Sequence, residues 1–179
     1  MADTPTTRVW LGRSIFVLVA LALIFVQLLP LSMIPAVWAA PDWGLAVALV
    51  WVARRPDYAP MIVLAGLFFL ADLLFQRPPG LWSALVVILS EILRTRAKGI
   101  RNMPFALEWG TVSVGIIVIT LLNRAVLTVV MTAQAPLGLT LIQMMMTIIF
   151  YPLVVAVAHF VFGVSRPSLG QVDSRGHRL

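Results

Sequence analysis

Six apolar stretches, each closed by proline, glycine or charge, constrain this chain more than any other feature. They run from Ser14 to Leu31, Asp42 to Val52, Pro60 to Phe75, Leu81 to Leu93, Leu107 to Met131 and Leu137 to Val164. The breaks between them read PLSMIPAVWAAPDW, ARRPDYAP, QRPPG, RTRAKGIRNMP and TAQAP. Proline lacks an amide donor and glycine loosens the backbone, so such segments belong where water or lipid headgroups satisfy free polar groups. Hydrophobic residues make up 61% of the chain and charged ones 11%, against about 25% charged in a soluble domain. The pattern predicts an all-α integral membrane protein with six transmembrane helices. It divides the 179 residues into a cytoplasmic N-terminus at 1–13, a six-helix membrane domain at 14–164 and a cytoplasmic tail at 165–179.

Charge sets the expected orientation. Arg8 and Arg13 precede the first stretch, the first break has no basic residue, and the second has Arg54 and Arg55. Arg77 stands alone in the third break, Arg94, Arg96, Lys98 and Arg101 crowd the fourth, and the fifth has none. The tail carries Arg166, Arg175 and Arg178. Positive residues in short loops favour the cytoplasmic side, so this alternation puts both termini inside. The net charge of +6 then reads as a surface for anionic membrane lipids and argues against nucleic acid as a partner. Arg94, Arg96, Lys98 and Arg101 are the candidates for contact with lipid or a cytoplasmic partner. Trp10, Trp38, Trp43, Trp51, Trp82 and Trp109 all fall near proposed span ends, where indole rings favour the interface. A cleaved signal peptide ending near AVWAA is the competing reading of the N-terminus, although only an even number of spans keeps both basic ends inside.

The stretches are unequal. Asp42 to Val52 is short, about 17 Å of helix against a hydrocarbon core of about 30 Å. It can start earlier through Pro35 and Pro41, tilt little, be shielded by neighbouring helices, sit in a locally thinned bilayer, or form a discontinuous helix beside a substrate site. Pro152, inside the last stretch, predicts a kink or hinge because it removes a helix hydrogen bond.

Charges inside the apolar stretches need partners, since each costs at least about 2.5 kcal/mol at a bilayer centre. Asp72 and Arg124 fall at comparable depths near the outer ends of the third and fifth stretches. The reading is that they pair across the bundle; the alternative is that Asp72 meets interfacial water or Arg77. Glu91 shares a helix face with Arg94, and Glu108 suits the start of the fifth helix. A metal site of Glu91, Glu108 and His159 competes poorly with these structural roles.

Catalytic patterns are missing. The chain has no HExxH, GxSxG or GxxxxGK[ST], and with no cysteine it has no thiolate nucleophile, thiolate metal site or disulfide. No cofactor is expected. Met144, Met145 and Met146 are consecutive and so point around a helix, which suits packing better than metal binding. Gly110, Ser113 and Gly115 are small enough to let another helix approach closely and are the candidates for a partner interface. Binding or organising is a better expectation than catalysis.

The order of motifs resembles a known family. PDW, from Pro41 to Trp43, opens a short second span with Trp51 near its end. DLL, from Asp72 to Leu74, closes the third span, and Gly80 follows the aspartate by eight residues. Tyr151 and Pro152 form a YP pair midway along the last span. Together with the length, these resemble MreD, the rod shape-determining membrane protein, with one departure: Phe68 stands where that family tends to place glycine. The resemblance implies a fold similar to the six-helix substrate-binding subunits of energy-coupling-factor transporters. It also implies a non-enzymatic inner-membrane scaffold of the bacterial cell-elongation machinery, working with MreC, MreB, RodA and PBP2. The rival from another class is a vitamin-binding capture subunit of such a transporter, with Asp42, Asp72, Asn123 and Arg124 as the groups that could converge on its ligand and few other polar or aromatic residues expected at the outer level to enclose it.

Overall fold

The structure is a computed structural model that describes residues 5–29, 38–101 and 104–164, with the side chains of residues 5–6 and 97–101 outside the description. Among the described residues there are six α-helices and no strand: α1 (Pro5–Leu28), α2 (Trp43–Arg54), α3 (Met61–Leu74), α4 (Leu81–Arg101), α5 (Phe105–Val129) and α6 (Leu137–Phe162). A 3₁₀ turn at Pro56–Tyr58 joins α2 to α3. The apolar stretches therefore correspond to the helices one for one. The chief differences are at α1, which begins at Pro5 so that Arg8 and Arg13 ride on the helix, and at α4, which continues through its basic cluster. The tail from 165 onward lies outside the described residues.

Three of the helices, α1, α5 and α6, are long and apolar enough to cross a membrane. Their outward surfaces are apolar: on α6, Leu141, Met145, Ile149, Leu153 and Val157 recur every four residues and are all exposed. An exterior of this kind is stable in hydrocarbon and unstable in water. The opposite face of α6 carries Thr147, Tyr151, Val154, Val155 and Ala158, all buried.

The short helix α2 lies at the centre. At 12 residues it is about 18 Å long, and every residue from Leu45 to Arg54 is buried. It packs on α6, α4 and α1, so its neighbours take the place of lipid along its length. Shielding by neighbouring helices, one of the ways a short apolar segment can be accommodated, is therefore present along α2; an earlier start through Pro35 lies outside the described residues. Trp51 sits inside this core, with ring centroids 6.1 Å from Phe16 and 5.6 Å from Phe162. The expectation that every tryptophan is an interfacial anchor therefore fails for Trp51 and Trp82, which are buried, while Trp10 and Trp38 are largely exposed.

Close approaches hold the outer helices to this core. A Cβ on Gly12 of α1 would lie 2.6 Å from the ring of Tyr58, and one on Gly115 of α5 would lie 2.5 Å from a methyl of Leu89 on α4. Only glycine allows the helices to sit so near these side chains.

Hydrogen bonds fix which helix ends share a level. Arg13 Nε donates to the carbonyl of Asp57 (3.0 Å) and Arg94 Nη2 to that of Ala59 (2.7 Å). The start of α1, the end of α2, the 3₁₀ turn and the second half of α4 thus meet at one end of the bundle, here the basic end. At the opposite end, the Asp42 amide donates to Thr147 Oγ1 (2.9 Å), joining the start of α2 to α6.

Pro152 lies inside α6, which is helical from Leu137 to Phe162. Its missing N–H frees the carbonyl four residues back, that of Ile148. Trp109 Nε1 of α5 donates to that carbonyl at 2.9 Å, so the proline creates the acceptor that ties α5 to α6. Trp109→Phe should cost about 1 kcal/mol, because the Ile148 carbonyl loses its partner. In a Pro152→Ala background the new amide takes that carbonyl and the same substitution should cost less than about 0.5 kcal/mol, a non-additivity measurable by denaturation in mixed micelles.

Candidate functional site

The polar groups inside the bundle form three centres. The first joins α3 to α4. After Leu74 the chain reverses through Gln76, at φ 54°, and Gly80, at φ 91°, a left-handed conformation that glycine adopts without strain. The Arg77 amide donates back to the Asp72 carbonyl (2.9 Å), and the turn brings the start of α4 over the Asp72 side chain. Oδ2 of Asp72 accepts from the amides of Gly80 (3.2 Å) and Ser83 (3.1 Å). The carboxylate, fully buried, therefore caps a helix other than its own, where the positive end of that helix favours it. Its second oxygen, Oδ1, has no hydrogen-bond partner.

This arrangement corrects the expected pairing of Asp72 with Arg124. Arg124 instead donates through Nη1 to the carbonyl of Ala135 (3.1 Å) and to Thr140 Oγ1 (3.0 Å), closing the connection between α5 and α6. The physical reason is local: backbone amides at a helix start satisfy a carboxylate without ordering a second long side chain, and loop carbonyls do the same for the guanidinium.

The second centre lies near the basic end. Arg54, the last residue of α2, places Nε 3.2 Å from Oε1 of Glu108 on α5, and Tyr151 Oη on α6 donates to the same oxygen at 3.2 Å. Glu108 is 1% exposed and Tyr151 is completely buried. Three helices are thus joined at one carboxylate. Sequence reasoning assigned Glu108 to its own helix start and Arg54 to a surface loop, and so missed the pair. The available signal was a carboxylate at the head of an apolar run, which needs a partner wherever it lies.

The basic cluster divides. Arg94 is structural, bonded to Ala59 as above and 3.5 Å from Glu91. Arg96 is exposed, and the side chains of Lys98 and Arg101 lie outside the described residues. Glu91, Glu108 and His159 are not brought together, and no group of metal-ligating side chains occurs among the described residues. Of the interface candidates, Gly110 is exposed with nothing near its Cβ position. Ser113 is half-buried and bonds to the Trp109 carbonyl at 2.7 Å. Gly115 is buried against Leu89, which removes it from any outward interface.

The third centre is a cavity of about 290 Å³ at the end opposite the basic one. Arg77, Asn123, Arg124, Gln134 and Gln143 line it, with Thr120, Thr140 and Thr147 adding hydroxyls. Leu45, Ile116 and Met144 supply apolar wall. The expectation of too few polar residues at this level to enclose a ligand is corrected: Gln134, Thr140 and Gln143 come from the last connection and from α6, which sequence reasoning left out of the count. Asp72 does not line this cavity. Comparison of the chain with family models, with curated proteins and with solved structures finds no match.

Arg54→Ala or Glu108→Ala removes one charge of a buried ion pair, so each should destabilise by about 3–5 kcal/mol. The double change Arg54→Met with Glu108→Leu should recover most of that loss in chemical denaturation. Asp72→Ala should cost about 1–3 kcal/mol through two amides left without an acceptor. Its cycle with Arg124→Gln should show coupling below about 0.5 kcal/mol; coupling above about 1 kcal/mol would restore the direct pair.

Proposed function

We propose that this chain is an MreD-like, non-enzymatic scaffold subunit of the bacterial cell-elongation machinery. It resides in the inner membrane with six crossings and both termini cytoplasmic. Its direct partner is MreC, through which it is linked to MreB and to RodA and PBP2. The observation that carries this reading is the turn between α3 and α4. Asp72 and the glycine eight residues later, which carry much of the resemblance, form one bonded unit (Gly80 N to Asp72 Oδ2, 3.2 Å). The YP pair has equally definite roles, Tyr151 on Glu108 and Pro152 in freeing the acceptor for Trp109.

The distribution of charge supports the orientation. Arg13, Arg54, Arg55, Arg94 and Arg96 belong to the basic end, against Arg77 and Arg124 at the other. The non-enzymatic reading is supported by the use of the buried ionisable groups, since Asp72, Arg54 and Glu108 are all engaged in joining helices. Recognition then falls to helix surfaces, and the exposed start of α5 around Gly110 is the surface on which a single-span partner can approach most closely.

A second reading, a vitamin-binding capture subunit of an energy-coupling-factor transporter, is favoured by the polar cavity alone. Affinity purification of the tagged chain from native membranes in mild detergent separates the two. Recovery of MreC with RodA or PBP2 is expected; recovery of an ATPase with a transmembrane coupling subunit would establish the transporter reading. Gly110→Leu should reduce recovery of MreC severalfold without lowering thermal stability. Gly115→Leu should instead destabilise the bundle by about 1–3 kcal/mol through overpacking against Leu89.

A further inference from the structure

We propose that the cavity opposite the basic end binds a phosphate-bearing anion, held between Arg77 and Arg124. This inference stands apart from the scaffold reading, which assigns the cavity nothing. Both arginines line the same space of about 290 Å³, close to the lower limit of small-molecule sites. Arg124 spends Nη1 on Ala135 and Thr140, which leaves Nη2 and Nε without a hydrogen-bond partner among the described residues. Among the described residues the Arg77 guanidinium has a ring contact alone, 5.2 Å from the centroid of Phe75. Two guanidinium groups with donors to spare, on one cavity, are suited to the oxygens of a phosphate, which the planar fork matches in pairs.

Among the described residues Asp42 is the one carboxylate in the lining, and it is already engaged. Its Oδ1 accepts from the Leu45 amide at 2.9 Å, capping α2, and the positive end of that helix lies at the same wall. Two arginines against one capped aspartate leave the lining positive. Asn123 and Gln143 add amide donors beside them. An apolar wall continues from Leu45 through Ile116 to Met144, which accepts the hydrocarbon part of an amphiphile.

Gln134 refines the chemistry. Thr128 Oγ1 gives its proton to the Arg124 carbonyl (2.9 Å) and therefore accepts from the Gln134 amide nitrogen (3.0 Å), which fixes the orientation of that amide. Gln134 Oε1 is then a buried acceptor with no donor, and a hydroxyl beside the phosphate satisfies it. The ligand class is a phosphate ester carrying a hydroxyl, such as a glycerophosphate group. Its source is either a phospholipid headgroup or a water-soluble phosphate ester.

The test uses the full chain purified in a nonionic detergent. It measures binding by calorimetry and by the shift in thermal midpoint, with dioctanoyl phosphatidylglycerol, glycerol 3-phosphate and dioctanoylglycerol as probes. Saturable binding of a phosphate probe, with none of dioctanoylglycerol, is expected. Binding of the phospholipid alone assigns the headgroup as the source; comparable binding of glycerol 3-phosphate assigns a soluble ester. Arg77→Gln and Arg124→Gln should each weaken binding at least tenfold. Because Arg124 also closes the connection between α5 and α6, Arg77→Gln decides should the Arg124 variant fail to fold. No saturable binding of either phosphate probe, or binding undiminished by Arg77→Gln, would overturn the proposal.

Discussion

A helix of 12 residues falls well short of a hydrocarbon core about 30 Å thick, and the arrangement of the other helices follows from that deficit. Lipid cannot solvate the polar ends of α2, so protein must. Asp42 and Thr147 satisfy the start of the helix, while Glu108, which also accepts from Tyr151, meets Arg54 at its end. The apolar side chains between these ends need neighbours on all sides, and α1, α4 and α6 supply them. The long apolar helices consequently lie outside, where their exposed leucines, valines and isoleucines suit lipid. The similarly short α3 is only partly covered, with Ile62, Phe69 and Leu73 exposed, so α2 is set apart by burial along its whole length from Leu45 to Arg54.

The polar residues act as fasteners at defined positions on this frame. Asp72 caps α4 from α3, Arg94 anchors α4 to the turn after α2, and the Ile148 carbonyl released by Pro152 receives Trp109 from α5. Each joins two elements through a backbone group on one side, so each requires ordering of only one side chain. The Arg54–Glu108 pair is the exception and joins two charged side chains. A buried pair contributes little net stability over an apolar substitute but penalises any packing that separates the charges. On this account its role is to select one register of α2 against α5. Arg77 and Arg124 differ from all of these, because both line a cavity.

The helices were legible in the sequence because apolar runs bounded by proline and glycine are a one-dimensional signal. Even the short second segment was located correctly. Its central position was not legible, because a buried helix and a lipid-facing one present the same uninterrupted apolar run; Trp51 was for that reason misread as an interfacial anchor. The partners of the charges were harder still. Asp72 and Arg124 share a depth, and depth alone suggested a pair, yet the Asp72 carboxylate is taken by amides eight and eleven residues ahead of it. Such a bond depends on the path of a turn through Gln76 and Gly80, which side-chain spacing does not encode. Arg54 and Glu108 are far apart in the chain and were each given a local explanation sufficient in itself.

A six-crossing bundle requires that α2, as we propose, cross the membrane although it is too short to do so unaided. The chain has no cysteine, so single variants Ala40→Cys and Asp57→Cys, at exposed positions on either side of α2, can be labelled with a membrane-impermeant maleimide in spheroplasts. Labelling of position 40 in intact spheroplasts, and of position 57 only after permeabilisation, is the predicted result. Labelling of both from the same side would make α2 a re-entrant segment and would contradict the six-crossing bundle built around it.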